Sequence, residues 1–167
     1  MYVTLTELAQ IPGALELAQV ASDQHGAVVD AELMELSLLA ADRSAYTAPE
    51  IAAADAALVR ITQAMTEAQS VIDGYLGKRY ALPLATVPTI LATWARSITR
   101  YRLHANRISD DRTDPIARDY RDAIKFLEQV AAGKFSLGID DPLAGPSATS
   151  DVRFNPGYKV FGRGVLP

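Results

Sequence analysis

Cysteine is absent from the chain, and histidine and tryptophan nearly so, with two of the first and one of the second in 167 residues. Disulfides, thiol catalysis and cysteine-ligated zinc are therefore excluded, and the composition suits assembly in a reducing cytoplasm. Long apolar runs are missing too. No stretch approaches the roughly 18 uninterrupted apolar residues of a membrane-spanning helix, and the opening Met1-Tyr2-Val3-Thr4 has no basic segment ahead of an apolar core. The chain is expected to be neither membrane-spanning nor signal-led. Glycine and proline are sparse in the body and crowd one end, where 35 residues from position 133 onward hold six Gly and four Pro. A helical body with a non-helical tail is the expectation, divided into a helical domain at 1–137 and an extended arm at 138–167. A chain of this length buries roughly 70% of its unfolded surface, so a single core needs no staples.

Acids outnumber bases by 20 to 16, but position says more than the total. Residues 1–60 carry nine acids and two bases, a net of −7, and the remainder is +3. Such a division fits a nucleic-acid surface, two faces that attract head to tail between subunits, or plain uneven solvated faces.

Helix signals punctuate the body. Thr4 and Glu7 have capping-box spacing, each side chain able to satisfy an orphaned amide, with Val3 and Leu8 placed as a hydrophobic staple. A short helix should start there and stop near Pro12-Gly13, and a second should run over about 14–21. Asp30 caps a third, apolar nearly all round through Leu33, Met34, Leu36, Leu38 and Leu39, with its end placed near Arg43-Ser44. Thr47-Ala48-Pro49-Glu50 opens a long one on a second capping box with proline near the first position. Ile61, Ala64, Met65, Ala68, Val71, Ile72, Tyr75 and Leu76 then recur at three and four residues, ending about Gly77. That helix would span about 40 Å, suited to a bundle or a ring wall. Pro83 and Pro88 bracket a loop before a helix with Ile90, Trp94, Ile98, Tyr101, Ala105 and Ile108 on one face. Asp114-Pro115 caps a last one, through Tyr120, Ile124, Leu127 and Val130 to a C′ glycine, Gly133. The fold class expected is all-α, a small bundle around one long central helix, with an extended, partly strand-like C-terminal arm.

Catalytic candidates are thin. His25 and His104 have no second histidine or cysteine at ligand spacing, and Asp110, Asp111 and Asp114 lack the alternating ligands and bidentate glutamate of a calcium loop. Gly162-Arg163-Gly164 has neither the lysine nor the strand-to-helix setting of a phosphate loop. No enzyme, metal or cofactor is expected. Arg96, Arg100, Arg102, His104 and Arg107 follow one another without an intervening acid. Arg96, Arg100 and Arg107 therefore read as DNA-facing, as partners of the acidic N-terminal half in the same subunit or a neighbour, or as a plain solvated face.

The tail is the most suggestive part. Val152, Arg153, Phe154, Tyr158, Lys159, Val160, Phe161 and Arg163 combine bases with large apolar anchors, and residues 152–167 contain no acid. A solvated tail is normally poor in aromatics, so this composition predicts a segment that orders on a partner. Fully extended, residues 140–167 reach up to about 90 Å.

At Ile72-Asp73-Gly74-Tyr75-Leu76-Gly77-Lys78-Arg79-Tyr80-Ala81-Leu82-Pro83-Leu84 the sequence resembles the Mu-like phage head-tail connector family. The opening through Leu8, the stretch Ala95-Arg96-Ser97-Ile98-Thr99-Arg100-Tyr101-Arg102-Leu103, and Tyr120-Arg121-Asp122-Ala123-Ile124-Lys125-Phe126-Leu127 are similar to it as well. The long stretch between the opening helices and this signature sets the chain apart from shorter members. The resemblance implies a head-completion adaptor in the virion at the head–tail junction, assembled in the host cytoplasm as a ring of twelve copies. Its implied partners are the portal protein, further copies of itself and a tail-side connector or stopper, with packaged DNA passing through the channel without sequence-specific binding and no membrane involved. Asp73, Tyr75, Leu76, Arg79, Tyr80, Leu82 and Pro83 would then form a structural signature. The arm residues would dock on the portal or on a neighbouring copy. The alternative from another class is a DNA-binding helical protein using the Arg96 to Arg107 face.

Overall fold

The computed structural model describes residues 1–23, 26–108 and 110–139. Among these the chain is all-α, with no strand: α1 (Leu5–Leu8), α2 (Ala14–Ala21), α3 (Ala31–Leu38), α4 (Ala48–Leu76), α5 (Thr89–His104) and α6 (Pro115–Ala131). The strand-like arm expected from the sequence lies outside the described residues.

The starts follow from local cap chemistry. Thr4 N–H donates to Glu7 Oε2 at 2.7 Å and Glu7 N–H to Thr4 Oγ1 at 3.2 Å, while Val3 and Leu8 are buried as the staple requires. Asp30 accepts from the Glu32 and Leu33 amides, and Asp114 from those of Ile116 and Ala117 just ahead of Pro115. Thr47 and Glu50 repeat the box at α4, with Pro49 in the first turn.

Two ends depart from expectation. α1 stops at Leu8 rather than near Pro12-Gly13. The chain continues as a wide π-type turn, Ala9–Gly13, kinked at Ile11 (φ −143°, ψ 115°) with Gly13 at φ 104°. α3 ends at Leu38, short of Arg43-Ser44. Ala40 turns left-handed (φ 53°), its N–H bonds Ser37 C=O at 3.3 Å, and Ala41 N–H bonds Leu36 C=O at 2.8 Å. This is a Schellman closure built on alanine, so no glycine announced it.

α4 organises the core. Ala54, Ala57, Ile61, Ala64, Met65, Ala68, Ile72 and Leu76 form its buried stripe. It packs on α5 and α6 and also on α2 and α3. Ile61, Ile72 and Leu76 are fully covered, each contributing about 2 kcal/mol of apolar burial. α5 is wedged between α4 and α6, so its buried sector is Leu91, Trp94, Ala95, Ile98 and Thr99, while Ile90 is 37% exposed. The expected face through Ala105 and Ile108 is also corrected: the helix ends at His104 and residues 105–107 form a turn. Tyr101 of α5 stacks on Tyr120 of α6, ring centroids 4.0 Å apart. α6 closes as expected on Gly133 at φ 74°.

Candidate docking and assembly surfaces

Residues 73–83, at the end of α4, hold several distant parts of the chain in one place. Asp73 accepts a hydrogen bond from the Tyr2 hydroxyl and lies 3.4 Å from Gln69 Nε2, which donates to it. Burial, reinforced by the Asp73 carboxylate, pushes the Tyr2 phenol well above its usual value. Leu76 is fully buried, and Lys78 Nζ sits 5.5 Å from the centre of the Tyr75 ring. Arg79 lies against the Tyr80 ring, donates to Val130 C=O at 3.5 Å, and fills the space beside Gly133, where a Cβ would come within 2.7 Å of its Nη1. Tyr80 is 4% exposed, and its hydroxyl accepts from Leu137 N–H at 3.4 Å. Leu82 and Pro83 continue as an exposed loop across a cis peptide bond. The signature residues thus tie the N-terminus to α4 and hold the chain beyond α6 against it.

Next to this tie Trp94, Phe126 and Phe135 form a three-ring cluster, with Trp94 and Phe126 stacked at 5.9 Å and Phe135 edge-on to Phe126 at 5.7 Å. Phe135 and Leu137 therefore seat the segment that follows α6 on the bundle.

The arginine face is largely engaged within the chain. Arg100 grips Glu16 of α2 through both nitrogens, Nε at 2.5 Å and Nη2 at 2.7 Å, and that pairing raises the arginine further into its charged range. His104 Nε2 stands 3.5 Å from the same carboxylate. Arg107 donates to Gln19 C=O at 2.5 Å, and Arg102 lies 3.9 Å from Glu67. Arg96 lines a small cleft with Arg100 and Asp119, and it helps hold the Glu7 carboxyl below the usual range, after the larger effect of the Thr4 hydrogen bonds. A polar cleft of about 780 Å³ between α2, α4 and α5 is lined by Asp23, Arg60, Glu67, Arg102 and Arg107. Of the two open destinations for the acidic half's partners, Arg100 takes the one in its own subunit.

Residues 2–155 match the family described as Bacteriophage Mu, Gp36. The chain belongs to this family. It is 45% identical over 93 residues to the Mu-like prophage FluMu protein gp36 of Haemophilus influenzae, covering 56% of this chain and 62% of that protein. It is 31% identical over 129 residues to Gene product J of Escherichia phage Mu, covering 77% of this chain and 84% of the relative. The alignment thus spans somewhat under two thirds of the Haemophilus relative's length. These matches make the chain a phage protein of the Mu gp36 family.

In this family member the residues singled out as arm anchors, Val152, Arg153, Phe154, Tyr158, Lys159, Val160, Phe161 and Arg163, lie outside the described residues. The structure adds Tyr2, Glu16 and Gln19, to which sequence reasoning gave no role. Tyr2 pairs across 71 residues and Glu16 across 84, separations at which no local pattern reports a partner. No group of three or more acidic, histidine or cysteine side chains is placed to hold a metal ion among the described residues, and no described helix is long and apolar enough to cross a membrane.

Proposed function

We propose that this member of the Mu gp36 family is a non-enzymatic head–tail adaptor. Copies form a ring on the portal vertex of a filled head, lengthen the DNA channel and give the tail its platform. The observation that carries this reading is the use to which residues 73–83 are put. Asp73, Arg79 and Tyr80 serve to fasten the N-terminus and the base of the arm to one end of a 29-residue helix, a structural task with no reacting group. A long helix followed by 28 residues of chain beyond position 139 suits a part that bridges two assemblies, and heterologous contacts between copies close rings. The portal, neighbouring copies and a tail-side connector are its partners in this reading, at the head–tail junction of the virion.

The DNA-binding alternative loses support from geometry, since Arg100 and Arg107 already have partners inside the subunit. Purified protein mixed with isolated portal should form rings visible by electron microscopy, and a phage lacking it should accumulate filled heads without tails. Normal joining without the protein, or tight salt-dependent retardation of duplex DNA without portal binding, would remove the adaptor reading.

A further inference from the structure

At the end of α4 opposite the signature, an apolar groove of about 600 Å³ runs between the segment before α3 and the first turns of α4. Val28, Val29, Leu33, Pro49, Ala53 and Ala56 line it, and Val28 is 60% exposed. Residues 27–30 are neither helix nor turn. The rim is acidic. Asp23 faces Arg60 at 3.3 Å, while Asp30 and Glu50 add negative charge. An apolar floor with acidic walls is the complement of residues 152–163, which alternate Val152, Phe154, Tyr158, Val160 and Phe161 with Arg153, Lys159 and Arg163 and contain no acid.

We propose that this groove receives the arm of a second copy of the same chain, residues 152–163 of one protomer lying between α3 and α4 of the next. Reach and polarity support a neighbour's arm. The described chain ends at 139, beside Tyr80 and Leu84 at the C-terminal end of α4, and Ala53 to Leu76 measures about 35 Å along the helix. Residues 140–152 extend to about 43–47 Å at most, so an arm returning along its own helix would have to be about three-quarters extended or more to deliver Val152 to the groove. The groove and the arm are different surfaces of one molecule, and their pairing is a heterologous contact. It also uses the −7 half of one subunit against a basic segment of another. The proposal rests on the ring reading above only for its closure; the contact itself needs two copies.

The chain has no cysteine, so introduced thiols are the sole cross-linking sites. Full-length protein carrying Ala53→Cys in the groove is mixed with protein carrying Gly162→Cys in the arm and treated with a short bismaleimide. Gly74→Cys, exposed near the far end of α4 with open space at its Cβ, replaces Ala53→Cys as the control. The mixed dimer should form roughly tenfold more with Ala53→Cys than with Gly74→Cys, a difference of about 1.4 kcal/mol. It should be lost when Ala56→Arg is added and weaken in high salt. Equal yields from the two positions, or indifference to Ala56→Arg, overturn the proposal. So does a chain carrying both Ala53→Cys and Gly162→Cys that closes only on itself at every concentration, since its own arm then fills the groove. These experiments need no portal: their failure leaves head joining untouched, and failure of head joining leaves the cross-link standing.

Discussion

Tyr2 donates its hydroxyl proton to Asp73, joining the second residue of the chain to the last turn of its longest helix. Burial and the carboxylate both favour the neutral phenol, so its folded pKa lies above the ordinary value of 10.0. A raised pKa contributes stability that is present below pH 10 and is lost as pH climbs beyond it. Unfolding midpoints measured from pH 8 upward should fall more steeply in the native protein than in Tyr2→Phe, which also loses the hydrogen bond at neutral pH. Parallel alkaline slopes for the two would show that the phenol ionises as freely folded as unfolded.

Left-handed positions give a paired prediction. Ala40 holds φ 53° at the end of α3 without glycine's freedom, so Ala40→Gly should stabilise the fold by about 0.5–1 kcal/mol in denaturant titrations. Gly133→Ala should do the reverse, costing about 1–2 kcal/mol, because the new Cβ meets Arg79 as well as an unfavourable φ. Gly138→Ala shares the positive φ in open space and should cost less. Equal losses at 133 and 138 would mean that Arg79 yields freely.

Thr99 is fully buried on α5, and its hydroxyl oxygen has no hydrogen-bond partner among the described residues. Thr99→Val keeps the shape and removes a desolvated hydroxyl, so the melting temperature should rise, by an amount corresponding to about 1 kcal/mol. A drop would place a bonding partner at that hydroxyl.

Glu16 and Arg100 form a bidentate pair that is about one quarter exposed on the carboxylate side and one third on the arginine side. A double-mutant cycle with Glu16→Ala and Arg100→Ala should give a coupling near 1 kcal/mol. A coupling near zero would free Arg100 for a neighbour or for DNA.

What the sequence disclosed and what it concealed follow the range of the interactions. The caps at Thr4, Asp30, Thr47 and Asp114 were legible because each is a contact within three residues. The stripe of α4 from Ile61 to Leu76 was legible because burial imprints a period of 3.6. The end of α3 was not, since an alanine closes it and Leu39 extends the apolar run past the true terminus. Ile90 misled because α5 is covered from two sides, which rotates and widens the buried sector beyond a single stripe. The surfaces followed the same rule: the −7 and +3 halves were visible as totals, but which arginine meets which acid depends on α2 and α5 crossing in space.

The fastening of residues 133–137 has a mechanical reading. Phe135 is clasped by two rings and Leu137 is pinned to Tyr80, while Arg79 sits over the turn at Gly133. A pull applied to the chain at residue 139 would meet this clasp before it reached α6. The clasp would hand such a pull to the C-terminal end of α4, so that the load entered the helix at one tip.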